Sequence, residues 1–321
     1  MKPTSSEATY LACDLGGTHT KVGAVRHGTV VARASIMSHA SAGLRPHLPR
    51  IADALREVAS SVGVEPSECA GVSFAVPGLV DRDGRRVSRI HQKFEDAVTI
   101  DVNRWSTLEF GIGSVLDNDA RAALIGEWRH GAGRGANNLL MITLGTGIGV
   151  AVVVDGVVLR GAHGAAGVLG GHLRLDLQGR RCMCGMNGCA EAEASTWALR
   201  ELAGELPGVA GAADLDYEAL ARLVGTGPEY DRLWNRSLEI WSAMILDLAH
   251  AYDPERIIIG GGIARNHDVV ERLATALDGD PWSTGSAVPV VSTELGDDAA
   301  LCAAPWLVDH AVHLRQETTA P

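Results

Sequence analysis

The sequence lacks three features that would place the protein in a membrane, outside the cell or on a nucleic acid. No apolar run approaches the ~20 residues that a membrane-spanning helix needs. The first residues lack the basic segment and long apolar stretch of a secretory signal, so we expect a cytoplasmic protein. The formal net charge is −11, which disfavours binding to a nucleic-acid backbone. Composition therefore predicts neither a membrane nor a nucleic acid as partner.

Cysteine is scarce, but its few copies are unevenly placed. There are 6 in 321 residues, and a reducing cytoplasm would keep them as thiols rather than as a disulfide scaffold. Three of them, Cys182, Cys184 and Cys189, fall within eight residues. That density requires another explanation, and a metal site supplies one.

Apolar residues and glycine, by contrast, are abundant. Hydrophobic residues make up 46% of the chain and charged residues 21%, which is enough apolar material for folded cores. A length of 321 residues exceeds what one compact core usually holds, so we expect two domains. The 38 glycines are about 12% of the chain against a usual ~7%, with no collagen-like period.

One order of predicted elements occurs twice along the chain. In the first half, strands at residues 10–13, 21–25 and 29–35 precede a helix at 48–62 and a strand at 71–76. In the second half, strands at 139–144, 150–154 and 157–160 precede helices around 191–202, 217–224 and 230–251 and a strand at 256–259. A single doubly wound sheet would alternate strands and helices, whereas three strands are consecutive at both starts. We therefore expect two similar α/β lobes that share a cleft.

The segment Asp14-Leu-Gly-Gly-Thr18 follows the first predicted strand. Gly16 and Gly17 let backbone N–H groups approach an anion, Thr18 adds a hydroxyl donor, and Lys21 could add a positive charge. An aspartate beside a phosphate makes sense when a cation such as Mg²⁺ lies between them. A tight hairpin turn capped by Asp14 explains this segment equally well.

Two further glycine turns follow later strands. Gly145-Thr-Gly-Ile-Gly149, which contains Thr146 and Gly147, has the equivalent place in the second half, and two such turns predict a polyphosphate site. No Gly-Lys dipeptide occurs, which excludes a Walker A loop, and neither Gly-x-Gly run completes a dinucleotide fingerprint. Gly260-Gly-Gly262 is a third close-approach turn, or it serves strand-to-helix packing alone.

A strand end between the two halves carries Asp117, Asn118 and Asp119. A carboxylate there could accept the proton of an acceptor hydroxyl. In an extended segment Asp117 and Asp119 point in opposite directions, so only one of them would face a substrate. Capping of a helix at residues 120–130 is the alternative role, and one residue can fill both.

His172 and the segment Cys182-Met-Cys-Gly-Met-Asn-Gly-Cys189 are the most specific element of the sequence. Three thiolates and one imidazole make a tetrahedral zinc set, and the two glycines let the short loop fold around the ion. A closed set of four protein ligands predicts a structural rather than a catalytic zinc. Spacing alone leaves His163 as an alternative to His172.

These motifs make the chain similar to the ROK family of bacterial sugar kinases, the glucokinase-like group of the actin/hexokinase fold, over about residues 9 to 313. The similar segments are Asp14 to Thr18 with Lys21, Val76-Pro-Gly78 with Asp81, Asn118-Asp119-Ala120, Leu144 to Gly149, Cys182 to Glu191 with Ser195, Gly260 to Gly262, and Leu295-Gly-Asp-Asp298. The resemblance implies a duplicated actin-like (ribonuclease H-like) ATPase fold with two lobes around a nucleotide cleft, and a homodimer.

The resemblance also implies roles for individual residues. Asp119 would be the catalytic base, and Gly78, Asn118, Asp119 itself, His172 and Glu191 would bind the acceptor. The nucleotide phosphates and Mg²⁺ would lie among Asp14, Gly16, Gly17, Thr18, Lys21, Thr146 and Gly147, with Gly261 and Gly262 near the adenosine. The zinc ligands would be His172, Cys182, Cys184 and Cys189.

Two loops depart from the family pattern. The family usually has Gly-Glu-x-Gly-His before the zinc cysteines, whereas this chain has Gly167-Val-Leu-Gly-Gly-His172, with an extra glycine and no carboxylate. Where the family tends to place an asparagine and a tryptophan, this chain has Ile90-His-Gln-Lys-Phe-Glu95. An apolar residue cannot replace an acceptor for sugar hydroxyls, so the changes suggest altered specificity. Drift in an enzyme that still phosphorylates glucose is the alternative.

Together these observations predict an ATP- and Mg²⁺-dependent kinase for a hexose, aminosugar or cyclitol, with a structural zinc. We expect an amino-terminal lobe at residues 1–116, completed by a helix at about 304–317, and a second lobe with the zinc loop at 117–303. The alternative function is a non-catalytic sugar sensor without a DNA-binding domain.

Overall fold

The structure is a computed structural model that describes residues 8–209, 211–278, 280, 282 and 288–317. Its contacts divide the chain into two compact units. The first contains the described residues up to Arg134, the segment Arg160–Ala166 and the residues from Asp297 onward. The second contains Gly135–Leu159 and the described residues of Gly167–Gly296.

The strands and helices of both units, in chain order, have the following bounds. The strands are β1 (Tyr10–Leu15), β2 (His19–Arg26), β3 (Thr29–Met37), β4 (Val72–Val76), β5 (Gly78–Val80), β6 (Val87–Ile90), β7 (Ser114–Asn118), β8 (Leu139–Leu144), β9 (Ile148–Val154), β10 (Val157–Val158), β11 (Arg256–Gly260) and β12 (Val290–Ser292). The helices are α1 (Leu48–Ser61), α2 (Val102–Phe110), α3 (Asp119–His130), α4 (Ala190–Ala194), α5 (Thr196–Glu205), α6 (Tyr217–Leu223), α7 (Pro228–Tyr252), α8 (His267–Thr275), α9 (Ala299–Cys302) and α10 (Ala304–Glu317). None of these helices is both long enough and apolar enough to cross a membrane.

Each unit is built on a five-stranded sheet, and the two sheets have the same topology. The order is β3-β2-β1-β4-β7 in the first unit and β10-β9-β8-β11-β12 in the second. In both sheets the first three strands in sequence pair antiparallel, and the next two continue the sheet in parallel. This repetition confirms the predicted duplication and excludes a single doubly wound sheet.

The cores explain why these strands form. The central strands of both sheets are almost entirely buried, so their continuous apolar runs have neighbours on both faces. In the first unit Ile51 and Leu55 of α1 pack with Phe74 and Leu116 of the sheet. In the second unit Trp241 and Ile245 of α7 belong to the core formed with the β8, β9 and β11 side chains.

The bounds of the compact units differ from the predicted division between residues 116 and 117. Helix α3 belongs to the first unit because it packs against α9, where a Cβ on Gly126 would lie 1.9 Å from the carbonyl oxygen of Ala299. Only a glycine permits that approach. The carboxyl-terminal helix α10 also belongs to the first unit, at residues close to the predicted ones.

Two predicted elements have different ends in the structure. The helix predicted at 191–202 is broken at Ser195, because the Ala194 carbonyl accepts hydrogen bonds from the Tyr217 hydroxyl and the Trp241 indole N–H, each at 3.0 Å. Ser195 then caps α5 through the N–H of Ala198. Strand β10 ends at Val158 rather than at Arg160, and the Arg160 side chain instead forms an ion pair with Asp117 of β7.

Candidate active site

The first predicted phosphate turn joins β1 and β2, with Asp14 near the end of β1. The N–H of Gly16 bonds the carbonyl of Asp14 at 3.1 Å, and Thr18 is exposed at the turn. A Cβ on Gly16 would lie 2.4 Å from the carbonyl oxygen of His19, so the turn has room only for glycine there. The backbone is thus compact and open to solvent, as an anion-binding turn requires.

Lys21 lies next to this turn but is engaged elsewhere. Its backbone pairs with Asp14 across β1 and β2, and its ammonium is 3.4 Å from a carboxylate oxygen of Asp297. Asp297 belongs to the Leu295-Gly-Asp-Asp298 segment that the resemblance included. Both side chains are partly exposed, so the pair itself adds little to stability.

The end of β7 and the start of α3 hold the predicted base. Asn118 caps α3 by accepting the N–H of Arg121 at 3.1 Å, and its amide donates to Asp119 Oδ1 at 3.0 Å and to the carbonyl of Gly78 at 3.2 Å. Asp119 Oδ1 also accepts the N–H of Ala120 at 2.8 Å. Both N–H groups of the Asn118 amide are therefore used in fixing Asp119 and the β5 backbone.

Asp14 and Asp119 influence each other electrostatically. Burial, followed by the negative charge of Asp119, raises the pKa of Asp14 to about 7, although Lys21 opposes the shift. Burial also raises the pKa of Asp119, and the N–H of Ala120, the charge of Lys93 and the amide of Asn118 only partly offset it. A carboxylate with a raised pKa accepts a proton more readily, which suits a general base.

Asp117, the other acidic residue of this segment, is fully buried. It forms ion pairs with Arg121 at 2.8 Å and with Arg160 at 2.6 Å, and Arg121 also donates to the carbonyl of Gly164 at 2.8 Å. These ion pairs occupy the Asp117 carboxylate, and the assignment of Asp119 as the base stays a prediction. Both arginines were missed. Residues 117 and 121 have the i,i+4 spacing of a helical ion pair, but Asp117 was predicted to lie at the end of a strand, and Arg160 is distant in sequence.

The second predicted turn joins β8 and β9 in the other unit. Two backbone N–H groups at the start of α5 bond it: Thr196 to the carbonyl of Gly145 at 3.0 Å and Trp197 to that of Thr146 at 3.5 Å. Thr146 is exposed. The turn therefore presents Thr146 and Gly147 at the surface of its unit on a backbone held from behind.

Glu191 braces this turn. Its Oε2 accepts the N–H of Ile148 at 2.9 Å, and a Cβ on Gly147 would lie 2.6 Å from the same oxygen. The resemblance assigned Glu191 to the acceptor sugar. The structure adds a contact with the phosphate turn that the sequence did not indicate.

The third glycine turn lies beside the second within this unit. Strands β8 and β11 are parallel neighbours, with Gly260 opposite Thr143. Gly261 has a φ of +83°, and a Cβ there would lie 2.2 Å from the carbonyl oxygen of Leu144. Gly262 has open space around its Cβ position. The end of this sheet therefore gathers Thr146, Gly147, Gly261 and Gly262.

The four predicted zinc ligands converge in the second unit. The ligand atoms of His172, Cys182, Cys184 and Cys189 all lie within 4.8 Å of one another. Cys182 Sγ is 3.6 Å from His172 Nδ1, and Cys184 Sγ is 3.6 Å from Cys189 Sγ. Ligands about 2.1 to 2.3 Å from a tetrahedral zinc lie roughly 3.6 to 3.8 Å apart, so this donor set fits that ion. His163 is not part of the cluster.

The loop that departs from the family pattern packs tightly on β9. A Cβ on Gly170 would lie 2.5 Å from Val150, and one on Gly171 would lie 2.2 Å from the carbonyl oxygen of Ile148. Both glycines are required by this approach, which ends in the 3₁₀ helix Gly170–His172. The loop thus brings His172 to the cluster while touching the same residue, Ile148, that Glu191 binds.

Comparison with known proteins agrees with these motifs. The sequence model of the ROK family matches residues 10–311. The chain is a ROK family protein. This ROK protein is 30% identical to the glucokinase of Halalkalibacterium halodurans, over 94% of its own length and 96% of that enzyme. It is 24% identical to the xylose repressor of Bacillus subtilis, over 80% of its own length and 66% of the repressor.

The fold of this ROK protein matches a solved structure of the family. A ROK family glucokinase from Streptomyces griseus, in complex with glucose and AMPPNP, superimposes with a TM-score of 0.78 at 25% identity, over 94% of this chain and 100% of that chain. The predicted duplicated α/β fold of the actin-like ATPases is thereby confirmed.

The structure places the predicted residues of this ROK protein in two groups, one in each unit. The first contains Asp14, Gly16, Gly17, Thr18, Lys21, Gly78, Asn118 and Asp119, and the second contains Thr146, Gly147, Gly261, Gly262, Glu191 and the four zinc ligands. Sequence reasoning missed one further residue of the first group, Lys93, which lies over Gly17. Two features of the sequence could have drawn attention to Lys93. Lysine is rare, with three in the chain, and this one lies in a loop that departs from the family pattern.

Proposed function

We propose that the protein is an ATP- and Mg²⁺-dependent kinase that transfers the γ-phosphoryl group to a hydroxyl of a hexose or hexose-like acceptor. The observation that carries the proposal is the environment of Asp119. It is the first residue of α3, it is held through Oδ1 by Asn118 and Ala120, and burial raises its pKa. Such a group can take a proton from a hydroxyl at neutral pH.

The proposed chemistry needs few groups. The acceptor hydroxyl gives its proton to Oδ2 of Asp119, its oxygen forms a bond to the γ-phosphorus, and the bond to the ADP oxygen breaks. Mg²⁺ would neutralise phosphate charge, and Asp14, whose own negative charge lies near that of Asp119, is the residue that fits a divalent cation. Two turns would bind the phosphates through backbone N–H groups. One contains Gly16 and Gly17, and the other contains Thr146 and Gly147.

The part of the site that would bind the acceptor differs from the usual pattern of the family. The segment from Gly167 to His172 has no carboxylate where the family usually has a glutamate, whichever way its extra glycine is aligned, so sugar hydroxyls there lose a hydrogen-bond acceptor. His172 and Glu191 would still contact the acceptor. We infer that the acceptor is a hexose or a hexose-like molecule, and glucose, an aminosugar and a cyclitol are the candidates.

A coupled assay of ADP release over a panel of hexoses, aminosugars and cyclitols tests this function. We expect one acceptor to raise turnover well above background ATP hydrolysis. Asp119→Ala should then lower kcat by about 10²- to 10⁴-fold, the usual contribution of a general base, while ATP still binds. Asp83→Ala, which removes an exposed aspartate of the same unit, is the matched control.

The second candidate is a non-catalytic sugar sensor, which the similarity to a xylose repressor supports. The two functions differ in one measurable way. A sensor would bind an acceptor from the panel with no ADP release. Turnover with any acceptor excludes the sensor.

A further inference from the structure

Lys93 lies directly over the first phosphate turn. A Cβ built on Gly17 would be 2.8 Å from Cε and 3.1 Å from Nζ of this lysine, so its ammonium occupies the space that the missing side chain leaves. The lysine side chain is partly buried. It belongs to the segment from Ile90 to Glu95, in which this chain departs from the family pattern.

The backbone around Lys93 is held in an uncommon conformation. The residues on either side, Gln92 and Phe94, have φ of +61° and +50°, which is costly for residues with side chains. Glu95 accepts the N–H of Gln92 at 3.1 Å, the N–H of Phe94 donates to Ala40 at 2.8 Å, and the Phe94 ring is fully buried. The surrounding structure therefore imposes the position of Lys93.

This loop and the phosphate turn share one buried network. The Phe94 ring stacks on His47 at 6.0 Å between centroids, and His47 Nε2 is 3.0 Å from the hydroxyl of Thr20. That hydroxyl is 2.9 Å from the hydroxyl of Ser38, which donates to the carbonyl of Gly16 at 2.7 Å. The residue that anchors Lys93 is thus connected through buried contacts to the turn that Lys93 covers.

The charge of Lys93 acts on the proposed base. Its positive charge opposes the rise in the pKa of Asp119, so the ammonium is near enough to stabilise that carboxylate. Lys21, by contrast, pairs with Asp297. Among the residues that the structure describes, Lys93 forms no ion pair. Its ammonium therefore lies near both the phosphate turn and Asp119 without a fixed anionic partner.

We propose that Lys93 is a catalytic residue that binds the phosphoryl group as it passes from ATP to the acceptor. This inference rests on the proposed kinase function. Negative charge is spread over the three equatorial oxygens of a phosphoryl group in transfer, and a preorganised cation stabilises it more than it stabilises bound ATP. Lys93 makes no covalent bond and transfers no proton.

The experiment compares Lys93→Met and Lys93→Arg with Arg104→Met, in which an exposed cation on α2 of the same unit is removed. We expect Lys93→Met to lower kcat by about 100-fold or more with little change in KM for ATP. Lys93→Arg should recover part of the loss, and Arg104→Met should match the wild type. A kcat for Lys93→Met within threefold of that of Arg104→Met would overturn the proposal, as would a change confined to KM.

Failure of the kinase function is distinguishable from failure of this inference. If no acceptor supports turnover in the wild type, the proposed function fails, and inorganic tripolyphosphate then probes Lys93 without catalysis. Calorimetric titration should give a Kd at least tenfold weaker for Lys93→Met than for Arg104→Met. Equal Kd values would overturn the role of Lys93 in binding phosphoryl groups.

A second pair of variants tests the contact itself. In Gly17→Ala the atoms nearest to the new Cβ belong to the far end of the Lys93 side chain, so the variant should fold and displace the ammonium. Its effect on kcat or on tripolyphosphate binding should not add to that of Lys93→Met in the double variant. Full additivity would overturn the placement of Lys93 at the turn. Gly16→Ala, whose Cβ meets the His19 backbone, should instead lower Tm.

Discussion

The carboxylate of Glu191 accepts a hydrogen bond from the backbone N–H of Ile148 at 2.9 Å. Glu191 lies on α4, which begins directly after Cys189, one of the four clustered metal-ligand candidates. One short helix therefore connects the cluster to the turn at residues 145–149. The loop ending at His172 reaches the same turn through Gly171 and Ile148. The cluster and the turn form one structural assembly in the second unit.

Removing the Glu191 carboxylate should weaken nucleotide binding even without an acceptor. Glu191→Ala leaves the Ile148 N–H without its partner and loosens the turn. A hydrogen bond to a charged group contributes about 1.5 to 3 kcal/mol, so we expect a Kd for AMPPNP about tenfold or more weaker. Glu191→Gln keeps an acceptor oxygen and should retain most of the affinity. Isothermal titration calorimetry measures both. A role confined to the acceptor would leave Kd unchanged in both variants and raise only KM for the acceptor.

Removal of zinc should destabilise the second unit. We expect one zinc per chain by elemental analysis, and zinc at about 100-fold above its Kd stabilises the folded state by about 2.7 kcal/mol. At roughly 2–4 °C per kcal/mol, chelation or Cys184→Ser should lower Tm by about 5 to 10 °C. Cys69→Ser, outside the cluster, should keep its zinc. Folded wild-type protein without zinc and with an unchanged Tm would contradict this expectation.

The pH dependence of the free energy of unfolding should report the cost of burying the charged Asp119 carboxylate. Burial raises its pKa in the folded chain, so the folded state holds this proton at pH values where the unfolded chain has released it. The free energy of unfolding therefore falls as pH rises from about pH 4, where a free aspartate ionises, and this contribution is lost completely once the pH passes the raised pKa of Asp119 in the folded chain. In Asp119→Asn the free energy of unfolding should fall less over the same pH range.

Differential scanning fluorimetry between pH 4.5 and 8, without nucleotide, measures that difference. The Tm of Asp119→Asn minus that of the wild type should increase with pH. Because the charge of Asp119 contributes to the shift at Asp14, the pKa of Asp14 should also drop below about 7 in this variant, as NMR titration would record. Asp83→Asn serves as the control and should give a constant offset. Parallel curves for Asp119→Asn would refute the prediction.

Much of the fold could be predicted because its determinants are local. Runs of apolar residues ended by glycine turns predicted the strands of both sheets, and their order along the chain predicted the duplication. The break at Ser195 could not be predicted, since it depends on the Ala194 carbonyl meeting Tyr217 and Trp241, which are distant in sequence. The assignment of α3 to the first unit likewise depends on a close approach of Gly126 to Ala299.

The sequence by itself determined which segments carry chemistry: two glycine turns after equivalent strands, an aspartate at a strand end, and three cysteines and a histidine suited to zinc. These features depend on residue type and on short spacings along the chain, and both can be read directly from the sequence. Only the tertiary structure decided that Glu191 braces a turn, that Asp117 joins Arg121 and Arg160, and that Lys93 covers Gly17. Such contacts follow from strand register and from loops folded across a sheet, so side chains far apart in sequence meet only once the core has packed.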